Sequence, residues 1–472
     1  MKSYMIFSVI VLLLLSGCTQ QQNFLSDYSA DSDPDYAFER LQQDLDSLLA
    51  NNMKIGADHY QALEEVYTSL KEHGLDVTGL REKMDQLSVA VDTSTGDNDQ
   101  NDQTGDDDTG DDDTGDDDTD DNYVESCTDE PIMFDNTPAD MDGVSFIIPM
   151  GSVHGDHVSP TDHQYYTSQE NAVVDVYSPG DGTVIKISHM GAFRADRFMM
   201  DDYHVIIQHT CGMSSVFIHV DDLSEKLAAV GPTETGGHVY VDVPVEAGEI
   251  IGTYSGGLDY NVVDESVSIN LINPDSYGYT YNHRLHITDP FNYFNEPVKS
   301  ELIEKSLRSE EPLGGTIDYD VDGTLAGVWF LKDSGGWESF ADPNSKYWSG
   351  HLAIVYHHVD TEHIAISFGT YDDPENEGKQ FGVKGNSPDP VEINTETGIV
   401  KYELVEYNYY VNDQLWDGNT FVKNPDVRNS DIVTDVVLFQ LIDDTTLKVE
   451  LFIGKTGSQV DEFTDNADIY VR

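Results

Sequence analysis

Three runs decide how this chain folds: GSVHGDHVSPTDHQYY (Gly151–Tyr166), ENAVVDVYSPGDGTVIKI (Glu170–Ile187) and YHVIIQHTCGMSSVFIHV (Tyr203–Val220). In the second and third, apolar residues recur at alternate positions and stop at Ser178–Gly182 and at Cys211–Gly212. That pattern reads as antiparallel strands joined by tight turns. The first run is of another kind, because His154, Asp156, His157, Asp162 and His163 crowd into ten positions. Neutral imidazole with carboxylate is a donor set that suits zinc. The competing reading is a polar loop whose side chains bond backbone groups.

Working outward, HVYVDVPV, EIIGTYS and SVSINLI continue the alternation, so residues 123–300 are expected to form a central antiparallel β domain, with PVKSELIEKSLR as a short connecting helix. A second all-β domain is expected over 313–472, where GTLAGVWFL, HLAIVYHH, HIAISFG, IVKYELVEYNYYV, TDVVLFQLI, LKVELFIG and ADIYVR suit a small barrel or sandwich. It offers aromatic residues but no concentrated catalytic set, and is expected to be an autonomous binding or assembly module. Asp318, Asp320, Asp322 and Gly323 spell the opening of a calcium loop, but Trp329 stands where the bidentate Glu belongs, so a β-turn is expected there.

Upstream, MKSYMIFSVIVLLLLSGC has a short apolar run, suited to a signal peptide over residues 1–17 rather than to a membrane span. Leu-Ser-Gly-Cys resembles the lipobox of prokaryotic lipoproteins, which implies a lipid on Cys18 and a membrane-anchored, cell-envelope location. Residues 18–33 read as a flexible tether. A small helical unit follows over 34–91, with stripes such as Phe38, Leu41, Leu45 and Leu48, and then Leu80, Met84 and Leu87. Residues 92–122 repeat DDDTG, cannot bury a core, and are expected to be an acidic disordered spacer. The net charge of −65 argues against nucleic acid as a partner. Cys127 and Cys211 remain as an even pair in an oxidising compartment, so a disulfide between them is expected.

Four segments in order carry a family resemblance: ENAVVDVYSPGDGTVIKI, YHVIIQHTCGMSSVFIHV, VPVEAGEIIGTYSGG and DPFNYF. Residues 145–295 resemble the lysostaphin-like zinc peptidoglycan endopeptidases, built on the duplicated hybrid motif. The resemblance implies a zinc site with His157 and Asp162 as ligands, a match one residue longer than the family's His-x-x-x-Asp. It implies His219 as the catalytic histidine; His163 and His286, nearby in the sequence, are further metal candidates that could complete a rearranged set. At the place assigned to the family's His-x-His strand the chain reads Glu265–Asn270, with Ser266 and Ser268 in the two histidine positions. Two readings follow. The first is a degenerate, non-hydrolytic domain that binds or scaffolds a cell-wall or surface polymer. The alternative is a zinc metalloendopeptidase acting on peptidoglycan or surface peptides.

Overall fold

A computed structural model describes residues 131–472, except 156, 191–200, 278–281, 339–345 and 372–377, together with eight residues between Tyr67 and Met84. The expected signal peptide, tether, acidic spacer, Cys18 and Cys127 all lie outside the described residues. The chain divides into two units near Thr128. In the first of these, Val77, Leu80 and Met84 are buried.

The second unit is mainly β. Its first ten strands are β1 (Val144–Ile148), β2 (Gln164–Ser168), β3 (Val174–Tyr177), β4 (Gly182–His189), β5 (Tyr203–Thr210), β6 (Met213–Val220), β7 (Asp222–Leu223), β8 (His238–Val245), β9 (Ile250–Tyr254) and β10 (Gly257–Asp264). A seven-stranded sheet runs β1-β2-β10-β6-β5-β4-β8, and a three-stranded sheet runs β3-β9-β7. Alternation makes them a sandwich. Val174, Val176, Ile251 and Tyr254 of the small sheet face Val184, Val205, Ile207, Phe217 and Tyr260 of the large one in a single buried core. The large sheet's other face holds the polar side chains.

After the helix Val298–Lys305 come β11 (Gly327–Leu331), β12 (His351–Tyr356), β13 (Ile364–Phe368), β14 (Lys379–Val383), β15 (Val400–Val411), β16 (Gln414–Leu415), β17 (Asp426–Asp443), β18 (Thr446–Ile453) and β19 (Asp468–Val471). The order β14-β13-β12-β11-β19-β18-β17-β15 closes through a β14–β15 pairing into an eight-stranded barrel. Trp329, Leu352, Ile366, Phe381, Tyr402 and Phe439 fill it. Arg472 lies over Trp329 at 4.1 Å and donates to the carbonyls of Ala326 and Thr324, closing one end.

Barrel and sandwich share a core. Val328, Phe330, Ala353 and Val355 on the barrel's outer face pack with Val153, Leu271 and Tyr277. That packing works against the expectation that 313–472 stands alone, because separation would expose those residues. At the junction Met150 pairs with Gly315, and Asp289 accepts from the Gly314 N–H at 2.9 Å. Gly314 sits so close to Asp289 that a Cβ has no room. The run SVSINLI is not a strand: residues 265–270 form a turn and an extended segment. Its alternation has another cause, since Ile269 and Leu271 pack against barrel residues rather than into a ladder.

Burial also sets the unit's response to acid. His357, His358 and His363 are all buried. The Val359 N–H donates to His357 Nδ1 at 3.1 Å, so Nε2–H donates to Tyr409 at 2.7 Å, and a second proton has no place on the ring. Desolvation, then the neighbouring His358, His363 and Arg308, holds the His357 pKa well below its usual value. Desolvation, His154 and Arg308 bring His358 to about 3. His363 is lowered by burial and partly offset by Asp360. Groups depressed on folding take up protons preferentially in the unfolded chain, so their contribution is full above about pH 6.5 and is lost as pH falls. Thermal unfolding across pH is expected to show the melting temperature starting to fall near about pH 6, above the carboxylate range. A flat profile down to about pH 4 would contradict this assignment.

Candidate functional site

The polar face of the large sheet gathers side chains from β2, β5, β6 and β10. On β10 the sequence GLDYNVVD sends Leu258, Tyr260 and Val262 into the core and Asp259 and Asn261 to the opposite face. Pairing sets Asp259 across from Tyr165 on β2 and from Ile218 on β6. His219, the next residue on β6, has φ +70°, a left-handed conformation that costs a non-glycine residue strain. Its ring reaches Asp259 on the sheet face.

The result is a continuous row of alternating acids and imidazoles. His219 Nδ1 donates to Asp202 Oδ2 at 2.9 Å, and its Nε2 lies 3.4 Å from Asp259 Oδ2. The same Asp259 oxygen is 3.3 Å from His163 Nε2. His163 Nδ1 donates to Asp162 Oδ1 at 2.8 Å. Asp162 Oδ2 then meets Arg284 Nη1 at 2.9 Å and His283 Nε2 at 3.3 Å. Arg284 stacks on Trp337 at 4.1 Å and also donates to the Pro160 carbonyl. Asp202, Asp259, His163 and Arg284 are buried.

Buried charge must be paired, and the row meets that requirement internally. Burial alone would lower the His163 pKa, but Asp259 and Asp162 outweigh it and the net shift is upward. Burial would raise Asp162, yet Arg284, His163 and His283 hold it well below the usual carboxylate range. His204 sits beyond the row without a carboxylate; desolvation, Lys186, His283 and His219 bring it to about 3.

Of the expected site residues, Asp162, His163 and His219 belong to this row. His157 does not join it by hydrogen bond: its backbone pairs with His154, its ring centroid is 5.7 Å from that of His163, and burial, His163 and His154 lower its pKa to about 3. His286 donates from Nδ1 to the Val267 carbonyl at 2.7 Å. Residues 265–270 form no strand beside His219; the strand there is β10, which carries Asp259 and Asn261 on the face of the His219 ring. Ser266 serves a turn, donating to Asp264 at 2.6 Å. Asp259, Asp202 and Arg284 were missed by sequence reasoning. The alternation of Asp259 and Asn261 with Leu258, Tyr260 and Val262 was the available signal. Cys211 is disulfide-bonded, and the cysteine expected to pair with it, Cys127, lies outside the described residues.

A zinc ligand must offer a free lone pair. Both ring nitrogens of His163 and of His219 face carboxylates, and Asp162 is committed to Arg284. Among the described residues no group of three or more His, Cys, Asp or Glu is arranged to hold a metal ion.

No family model and no curated protein sequence matches the chain. Among solved structures, one chain from the SpoIIQ–SpoIIIAH pore-forming complex aligns over 37% of this chain and 99% of its own, at 16% identity and a TM-score of 0.23. A zinc-containing peptidase from Vibrio cholerae aligns over 28% of this chain and 37% of its own, at 17% identity and a TM-score of 0.19. Both scores are too low to assign fold or chemistry.

Asp259 is the acid that both imidazoles share. Asp259→Asn keeps its volume and removes its charge, and is expected to cost about 3 kcal/mol in urea unfolding. The His163 imidazole, followed by NMR, should titrate at lower pH than in the parent. An unchanged His163 titration would show that the two groups are not coupled.

Proposed function

We propose that residues 123–472 act as a non-hydrolytic binding and scaffolding module of the cell envelope, on a chain anchored to the membrane through a lipid on Cys18. One observation carries the first half: the imidazoles available for chemistry, His163 and His219, are each set between two carboxylates. An imidazole held in that way turns both nitrogens toward carboxylates rather than toward an open metal or water site. Asp259 and Asn261 lie on the strand next to His219, and we take them as the counterparts of the resembled family's His-x-His pair. The acidic run 92–122 supports a role as spacer, by composition, and the charge of −65 disfavours nucleic acid.

The alternative, a zinc metalloendopeptidase, has one observation in its favour. His163 Nε2, Asp259 Oδ1 and Asn261 Oδ1 are buried without hydrogen-bond partners, and such a cluster calls for a bound group or water. Metal analysis and a peptidoglycan-cleavage assay on the purified chain decide between the readings. Substoichiometric zinc and no cleavage product are expected. Stoichiometric zinc, with cleavage abolished by His219→Ala, would overturn the proposal.

Anchoring has its own test. Cys18→Ser is expected to move the protein from the membrane fraction to the soluble fraction, and unchanged fractionation would refute the lipid.

A further inference from the structure

Beside the acid–imidazole row a cavity of about 650 Å³ lies between the sandwich and the barrel. Its floor is the sheet face at Tyr165, Thr167 and Gly257; its roof is the β15 segment with Tyr407, Asn408 and Tyr409, and Trp416 just beyond. Neither β module encloses this space alone. Tyr165 borders both regions, since its ring lies 4.8 Å from that of His163. The volume falls within the range of about 300–1,000 Å³ typical of small-molecule sites.

The wall chemistry selects the ligand class. The formally charged side chains on the wall are Lys379 and Glu406, which lie 4.0 Å from each other and cancel. His358 is uncharged at neutral pH, its pKa brought down to about 3 by burial, His154 and Arg308. An anion such as a phosphate therefore finds no net attraction here, and a cation finds none either. Four aromatic rings remain, together with the Asn408 amide, the Thr167 hydroxyl and the His154 imidazole. Aromatic faces favour ring ligands that present C–H groups, and amides and hydroxyls both donate and accept.

We propose that this cavity binds a short neutral oligosaccharide, its rings stacked on the aromatic side chains and its hydroxyls hydrogen-bonded to Asn408 and Thr167. The proposal rests on the binding reading given above and names its ligand class. Because floor and roof come from different β modules, the ligand also ties barrel to sandwich and raises the melting temperature on binding.

The test uses the full chain with three neutral probes, maltotriose, cellotriose and the N-acetylglucosamine trimer, and one charged probe, trigalacturonate. Saturation-transfer NMR and tryptophan fluorescence report binding. Saturable binding of at least one neutral probe is expected, weakened about tenfold or more by Trp416→Ala and by Asn408→Ala. Asn408 is exposed, so its variant should melt with the parent and separate lost binding from lost folding. No saturable binding of any neutral probe would overturn the inference, as would preference for trigalacturonate or binding unchanged in both variants. These failures differ from that of the scaffold reading, which falls instead to zinc-dependent cleavage.

Discussion

The Asp162–Arg284 pair is the constraint on which the junction depends. Asp162 leads into β2 and takes hydrogen bonds from His163 and Arg284, while its backbone carbonyl accepts from Asn261 on β10 at 3.1 Å. Arg284 in turn covers Trp337 in the barrel region and holds the Pro160 carbonyl. One buried ion pair thus fixes the lead-in to the sandwich's second strand, the segment after β10 and the barrel's flank. Replacing a buried pair as a whole is often tolerated, but removing one partner strands the other without compensation. Asp162 would be left against His163 and His283 alone, and Arg284 would keep only its carbonyl and its ring.

The histidine-rich loop is held from the barrel side as well. Gln380 on β14 accepts from the Gly155 N–H at 3.0 Å and donates to the Gly155 carbonyl at 3.1 Å, while Ser159 meets His351 Nδ1 at 3.1 Å. The β15–β17 arm reaches the opposite edge, where Ser145 donates to the Asn419 carbonyl and Trp416 packs on Phe146. A polar loop in the sequence has thereby become a buried partition between two β modules. Its histidines are used for packing and pairing, and His351 and His357 are pinned by backbone groups in the same way.

Much of the architecture was legible because it is local. Alternation located β3, β4, β5, β6, β8 and β9 in the sandwich and all but β14 and the short β16 in the barrel, and the turn residues marked their ends. β14, KQFGV, escaped because it is short and contains Gly382, and glycine weakens a strand signal. β10 escaped for a related reason: Gly257, Asp259 and Asn261 are residue types depleted in strands. What sustains Asp259 in a buried strand is two imidazoles brought in from β6 and the β2 lead-in, which is a non-local fact. The run SVSINLI misled in the opposite sense, since its alternation arises from packing on the barrel.

The acid–imidazole row shows why residue types alone did not disclose a mechanism. Here the Nδ1 atoms of His163 and His219 face Asp162 and Asp202, while both Nε2 atoms share one oxygen of Asp259. The deciding residue is Asp259. A histidine there, with a neutral ring, would remove the carboxylate that does most to hold the His163 proton. A carboxylate reverses that balance, because taking the proton from His163 would leave a buried anion less compensated. The upward shift of His163, despite its burial, follows from this. The row runs without a break from Asp202 to Arg284, each member within 3.4 Å of the next. The cavity beside it has its own floor at Tyr165, Thr167 and Gly257, and its charged pair, Lys379 and Glu406, offset each other, so an uncharged ligand enters without stranding a charge.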